Sequence, residues 1–123
     1  MLSGANAFSG FSVDDLPKAA AFYRDTLGLD VTEGDGMLRI KLAHEAWVLA
    51  YLKPNHEPAT FTILNFKVDD VEQAVDDLVA RGVTMTRYAE FDQDARGIVR
   101  EGGPYVAWFT DPARNILSVL QDR

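Results

Sequence analysis

The chain has 123 residues, 47% hydrophobic and 25% charged, with no cysteine and a formal net charge of −7. That is enough chain for one packed core and too little for two independent ones. The missing cysteine excludes disulfides and thiolate metal sites, and the acidic balance argues against a nucleic-acid partner, whose phosphate backbone needs a basic face. No apolar run approaches the roughly 20 residues that span a bilayer. Met1-Leu2-Ser3-Gly4 lacks the basic and apolar regions of a secretory leader, so a cytoplasmic protein with no membrane partner is expected. The negative charge admits a cationic ligand, although it more often serves only solubility.

In chain order, Ala5 to Val13 alternates weakly, with Ser9, Phe11 and Val13 on one face and Asn6, Phe8 and Gly10 on the other. This is the pattern of a half-buried strand. Asp15 sits where an N-cap belongs, and Pro17 falls in the first turn, where its missing N–H costs nothing. Leu16, Ala19, Ala20, Tyr23 and Leu27 then follow helical spacing to a stop at Gly28. Asp30-Val31-Thr32 reads as a short strand, Gly34-Asp35-Gly36 as a turn, and Met37 to Ala43 as an alternating strand. A turn at His44-Glu45 leads to the apolar strand Trp47–Leu52.

Lys53 to Thr60, with Pro54 and Pro58, is the linker, and Phe61 to Val68 repeats the opening strand. Asp70 with Gln73 three residues on resembles a capping box, and Val71, Ala74, Val75, Leu78 and Val79 give a second helix its stripe. Val83 to Phe91 reads as a strand, and residues 92–104 as a long loop with a short strand at Ile98-Val99. Tyr105–Phe109 and Ile116–Gln121 are two strands joined by Asp111-Pro112-Ala113-Arg114-Asn115. The halves are copies. Val13/Val68, Asp14/Asp69, Asp15/Asp70 and Ala19/Ala74 share one offset of 55 residues, and the first copy is one residue longer before its glycine. A long period present twice indicates two fused modules rather than a solenoid.

Val13-Asp14-Asp15-Leu16, Phe22-Tyr23-Arg24-Asp25-Thr26-Leu27-Gly28-Leu29, Phe66-Lys67-Val68-Asp69-Asp70-Val71 and Phe109-Thr110-Asp111-Pro112-Ala113-Arg114-Asn115-Ile116-Leu117 span nearly the whole chain. In this order they resemble the vicinal oxygen chelate superfamily of glyoxalase I, extradiol dioxygenases and bleomycin-resistance proteins. The resemblance implies an α+β fold of two paired βαβββ modules, forming a curled mixed-sheet half-barrel around a cavity. It also implies one domain over 1–123, with module one at about 5–53, the linker at about 53–60 and module two at about 61–122. Arg114 departs from the family, whose closing turn usually carries glycine. A left-handed backbone there costs a non-glycine residue about 1 kcal/mol, so a remodelled turn is expected.

Enzymes of this family hold a divalent metal on His or carboxylate side chains from the first and last strands of each module, because such a cation needs imidazole or oxygen donors. By the resemblance those positions fall at Phe8, Ile63, Ser118 and within Trp47–Leu52, and none of these strands carries His, Asp or Glu. No metal and no cofactor is therefore expected. His44 with Glu45 and His56 with Glu57 are the only histidine-bearing alternatives for a metal, and both pairs lie in turn-like segments. Asp14/Asp15 and Asp69/Asp70 look like catalytic carboxylate pairs, but their places before each helix make capping the better account.

What remains is an apolar, aromatic cavity suited to a small organic ligand. The residues expected to bind it are Phe8, Trp47, Tyr51, Phe61, Ile63, Tyr105, Trp108 and Ser118, with core filling as the competing role for each ring. Ile116 and Leu120 share the inward parity, and Arg39, Arg96 and Arg100 offer pairing for an acidic group or plain surface charge. The expected function is metal-independent binding of a small, partly apolar organic molecule, as in bleomycin-resistance-like sequestration by a homodimer, with no catalytic residue. The alternative is a lyase, isomerase or oxygenase with an unconventional metal site or acid–base work by Glu45, Glu90, Asp92 or Tyr105. A third possibility is an interaction domain whose cavity has closed.

Overall fold

Two aspartates set the frame of the molecule, a computed structural model that describes residues 1–123. Asp15 and Asp70 are both extended, and their Oδ1 atoms accept from Lys18 N at 3.0 Å and Gln73 N at 3.1 Å. Each satisfies an amide that the first helical turn would leave orphaned. Helix α1 (Leu16–Ala21) and helix α2 (Val71–Ala80) follow. The capping box at α2 forms by half, because the Gln73 amide reaches forward to Asp77 Oδ1 at 2.8 Å. Gln121 Oε1 takes the amide of Val71 instead, at 2.9 Å.

The extra residue of the first copy has a place. Gly28 lies thirteen positions after Asp15, whereas Gly82 lies twelve after Asp70. Helix α1 ends in a π-helical turn at Phe22–Thr26, with Leu27 N donating to Phe22 O at 3.0 Å. One wide turn absorbs one residue.

The chain divides into two compact units, Met1–Glu57 and Pro58–Arg123. The first holds β1 (Ser9–Val13), β2 (Asp30–Gly34), β3 (Met37–Lys41) and β4 (Trp47–Leu52) in the order β1-β4-β3-β2, with β1 parallel to β4. Phe11, Val13, Leu38, Ile40, Val48 and Ala50 form its buried face, which packs against α1 through Ala19, Ala20 and Tyr23. A ring of that size, wholly buried against Phe11 and Phe22, anchors the unit.

The second unit holds β5 (Thr62–Lys67), β6 (Tyr105–Thr110) and β7 (Ile116–Gln121) in the order β5-β7-β6, with β5 parallel to β7. Ala107, Phe109, Leu117 and Val119 are buried on the α2 side with Val71, Val75 and Leu78. The α+β class and the two copies of strand–helix–strands follow the family pattern, but one expected strand is absent. Residues 83–91 run beside β6 without a ladder, joined to it by a single bond from Thr86 N to Trp108 O at 2.8 Å. The Gln93 side chain occupies the next backbone groups, accepting from Tyr88 N and donating to Thr86 O. A side chain has replaced a strand partner. Ile98-Val99 likewise forms only isolated bridges, from Val99 to Gln93 and Val106.

The closing turn keeps its left-handed residue despite the missing glycine. Arg114 has φ 66°, and its amide donates to Asp111 O at 2.9 Å, so the expected remodelling does not occur. Arg114→Gly is accordingly expected to stabilise the protein by at most about 0.5 kcal/mol, the relieved backbone strain less the greater freedom of the unfolded glycine. Urea unfolding of the two proteins measures it.

Candidate functional site

Each unit presents one sheet face that its helix does not cover. In the first, strand register places Gly10, Leu49 and Arg39 side by side, flanked by Ser12, Tyr51 and Met37. Trp47 lies on the same face as Leu49 and Tyr51, because successive side chains alternate. Phe8 stacks on its indole with centroids 4.1 Å apart, and the Arg39 guanidinium lies 4.1 Å from the same ring centre. Two groups that close must occupy opposite ring faces, so Trp47 is sandwiched. The free surface belongs to Phe8, which is 55% exposed, and, farther along β4, to Tyr51 opposite Ser12.

The histidines go different ways. His44 and Glu45 are exposed and consecutive left-handed residues at the turn before β4. His56 Nδ1 shares a 2.5 Å hydrogen bond with Ser12 Oγ, tying the linker to β1. They do not combine: no group of three His, Asp or Glu side chains in the molecule could hold a metal ion. The residues at the family's ligand positions do not fit one either, being Phe8, Ile63, Ser118 and the apolar strand β4.

In the second unit the register breaks. Thr62 pairs with Ile116 and Leu64 with Leu117, so Ile63 is the extra residue of a bulge. The bulge turns Thr62 onto the face of Trp108, whose Nε1 donates to Thr62 Oγ1 at 3.2 Å. A cleft of about 300 Å³ opens there, walled by Phe61, Thr62, Tyr88, Glu90, Phe91 and Trp108 with Thr60 and Ile116. Phe91 stacks on Trp108 at 5.2 Å, and Tyr88 meets Trp108 edge-on at 5.3 Å. Phe61 and Phe91 remain 67% and 47% exposed, large rings held at the mouth rather than in the core.

Of the residues expected to bind a ligand, Phe61 and Trp108 stand on this cleft, and Phe8, Trp47 and Tyr51 share the first unit's open face. Three expectations need correction. Ile63 is displaced by the bulge and Thr62 takes its place on the wall. Tyr105 is three residues from Trp108 and so lies on the opposite sheet face, paired with Gln121 and contacted by the Arg100 and Arg123 guanidinia at 5.3 and 5.0 Å. Ser118 is fully buried and spends its hydroxyl on Asn65 Oδ1 at 2.6 Å. Tyr88 and Phe91, which sequence periodicity did not single out, complete the wall. The signal that could have found them is their aromatic character in a long segment otherwise rich in charge.

A hydrogen-bonded frame holds that segment. Gln93 accepts from Tyr88 N at 2.7 Å and donates to Thr86 O and Gly97 O at 3.0 and 2.8 Å. Asp94 accepts from Arg96 N, Ile98 N and Arg100 Nε, each at 2.9 Å. Arg96 pairs with Asp76, and Arg100 also reaches Glu72, so both arginines brace the loop against α2. Partial burial pushes the Asp94 pKa up, but the bonds from Ile98, the Arg100 guanidinium and Arg96 outweigh it and hold the carboxyl below its usual range. Its contribution to stability is therefore present above the unfolded carboxylate pKa of about 3.9 and lost as pH falls through the lower folded value. The urea midpoint is expected to fall less steeply across this acid window in Asp94→Ala than in the unaltered protein.

A wider groove of about 600 Å³ lies along α2, lined by Val75, Val79, Val83 and Met85. Its Asp76 and Arg96 are paired with each other, and Arg87 donates to the carbonyls of Gln93 and Ala95. Its charged groups are thus spent within the chain.

The profile of the Glyoxalase/Bleomycin resistance protein/Dioxygenase superfamily matches residues 7–119. Among solved structures, the chain is similar to TnmS3, an antibiotic binding protein from Streptomyces sp. CB03234, with 22% identity, 98% of each chain covered and a TM-score of 0.71. It is also similar to the genomically encoded fosfomycin resistance protein FosX from Listeria monocytogenes, with 17% identity, 100% and 96% coverage and a TM-score of 0.73. An integron cassette protein from V. cholerae shares 22% identity over 98% of each chain, with a TM-score of 0.65. No curated protein matches the chain. No helix is long and apolar enough to cross a membrane. The profile covers nearly the whole chain, both copies of the repeat included, and the chain therefore belongs to the glyoxalase/bleomycin resistance protein/dioxygenase superfamily.

Proposed function

We propose that the protein binds a small, partly apolar organic molecule without metal and sequesters it, acting in the cytoplasm as a homodimer. The observation that carries this reading is the 300 Å³ aromatic cleft of the second unit, with Trp108 held by Thr62 and ringed by Tyr88, Phe91 and Phe61. Its size is at the lower end of small-molecule sites, and its wall is mostly ring surface with few polar groups. The face carrying Phe8, Trp47 and Tyr51 supplies further aromatic surface for the same purpose.

The chemistry of the residues supports binding over turnover. Nothing on the cleft wall pairs a nucleophile with a base, and the positions where the resemblance implies metal ligands carry no His or carboxylate. TnmS3 being an antibiotic binding protein is in keeping with a sequestering role for this fold.

Native mass spectrometry of the purified protein beside a denatured control tests the reading. A metal-free dimer retaining an organic adduct is expected. Stoichiometric metal that survives extensive dialysis would overturn the metal-free part, and a protein that binds no compound from a diverse set of small aromatics would overturn the binding role.

A further inference from the structure

Glu90 is the one carboxylate on the wall of the second unit's cleft, and no cationic side chain lines it. It makes no ion pair with any arginine or lysine, unlike Glu72, Asp76 and Asp94 of the same unit. The rest of the wall is four aromatic rings, two threonines and an isoleucine. Aromatic faces carry negative quadrupole potential, which attracts cations whose hydration is weak enough to shed.

We propose that this cleft selects an organic cation, an amine or quaternary ammonium group on a small apolar body, with Glu90 as its counter-charge and Phe61, Tyr88, Phe91 and Trp108 as its aromatic wall. The inference rests on the small-molecule reading above and adds the charge of the ligand. Three features carry it. The unpaired carboxylate and the ring faces share one electrostatic sign. The net charge of −7 repels an anion and draws a cation toward any site on the surface. The cleft of about 300 Å³ limits the bound part to a small head group with its immediate apolar neighbours.

The ring environment agrees. Tyr88 has its pKa raised, first by burial and then by the charge of Glu90, so the field of that carboxylate reaches the ring wall and the phenol stays neutral. The first unit gives the contrast. There the indole of Trp47 already has a cation of the chain's own, the Arg39 guanidinium at 4.1 Å. The cation preference is therefore assigned to the second unit's cleft alone.

The test is an NMR titration of the full chain, following the indole Nε1–H of Trp108, which is identified by its absence in Trp108→Phe. Three probes of similar ring size are compared: benzyltrimethylammonium, benzyl alcohol and benzoate. The cation is expected to bind about tenfold tighter than the alcohol, with benzoate weakest. Glu90→Gln is expected to bring the cation to within about twofold of the alcohol while the alcohol itself is unchanged. Equal binding of cation and alcohol, or a full cation preference surviving in Glu90→Gln, would overturn the charge assignment and leave the cleft as a general aromatic site. Failure of all three probes to move the Trp108 signal would overturn both readings of the cleft.

Discussion

Asp111→Ala is expected to cost about 3 kcal/mol of unfolding free energy, the largest loss from any single polar side chain in the molecule. Asp111 is 3% exposed, and its Oδ1 accepts from Ala113 N and Asn115 N, both at 2.9 Å, while Oδ2 accepts from Asn115 Nδ2 at 3.0 Å. Alanine would take a charged acceptor away from three donors in a place water does not reach. The damage is concentrated because this turn joins β6 to β7, and β7 is the central strand of its sheet. Asp111→Asn keeps one acceptor oxygen and should lose about half as much. For a chain of this length, 3 kcal/mol corresponds to a fall in Tm of roughly 10 °C or more. Urea and thermal unfolding of both variants check the ranking, and equal losses in the two would contradict it.

Gln93→Leu is expected to weaken ligand binding about tenfold or more while lowering global stability by only about 1–2 kcal/mol. The substitution keeps the approximate volume and removes three bonds to the backbone, at Tyr88 N, Thr86 O and Gly97 O. Those bonds stand where a strand ladder would otherwise hold residues 83–91. Without them Tyr88 and Phe91 lose their fixed places beside Trp108, and a ligand must supply the ordering that the protein now provides. Hydrogen exchange gives a readout apart from affinity: the Tyr88 amide should lose protection while amides of β7 keep theirs. Uniform loss of protection across the sheet would mean that Gln93 supports the whole unit rather than the cleft wall.

The frame was legible because it depends on local chemistry. Asp15 and Asp70 cap helices wherever they precede a helical stripe, and alternation in Met37–Lys41 and Tyr105–Thr110 fixes sheet faces without tertiary information. The cleft was harder. Regular alternation along β5 points Ile63 inward, and the bulge gives that place to Thr62. Tyr105 shares its strand with Trp108, but the odd spacing of three residues puts the two rings on opposite sheet faces. The strand expected at Val83–Phe91 does not form because Gln93, two residues beyond the segment, competes for its backbone, a choice that composition within the segment does not encode. Arg114 shows the converse, since a strained backbone survives where the buried Asp111 network over-determines it.

The wide turn that ends α1 has a consequence for how the two halves diverged. A residue inserted into a regular α-helix rotates everything downstream by about 100°, enough to swing a buried stripe into solvent. At Phe22–Thr26 the chain takes the additional residue as a local loosening, and the buried Tyr23 and the left-handed Gly28 stay in phase with their packing. The helix thus acts as an expansion joint. A duplicated ancestor with such a joint can gain a codon in one copy without losing its fold, which frees the copies to drift apart in surface chemistry. Here one copy has come to carry an arginine above its tryptophan and the other an unpaired glutamate beside its own.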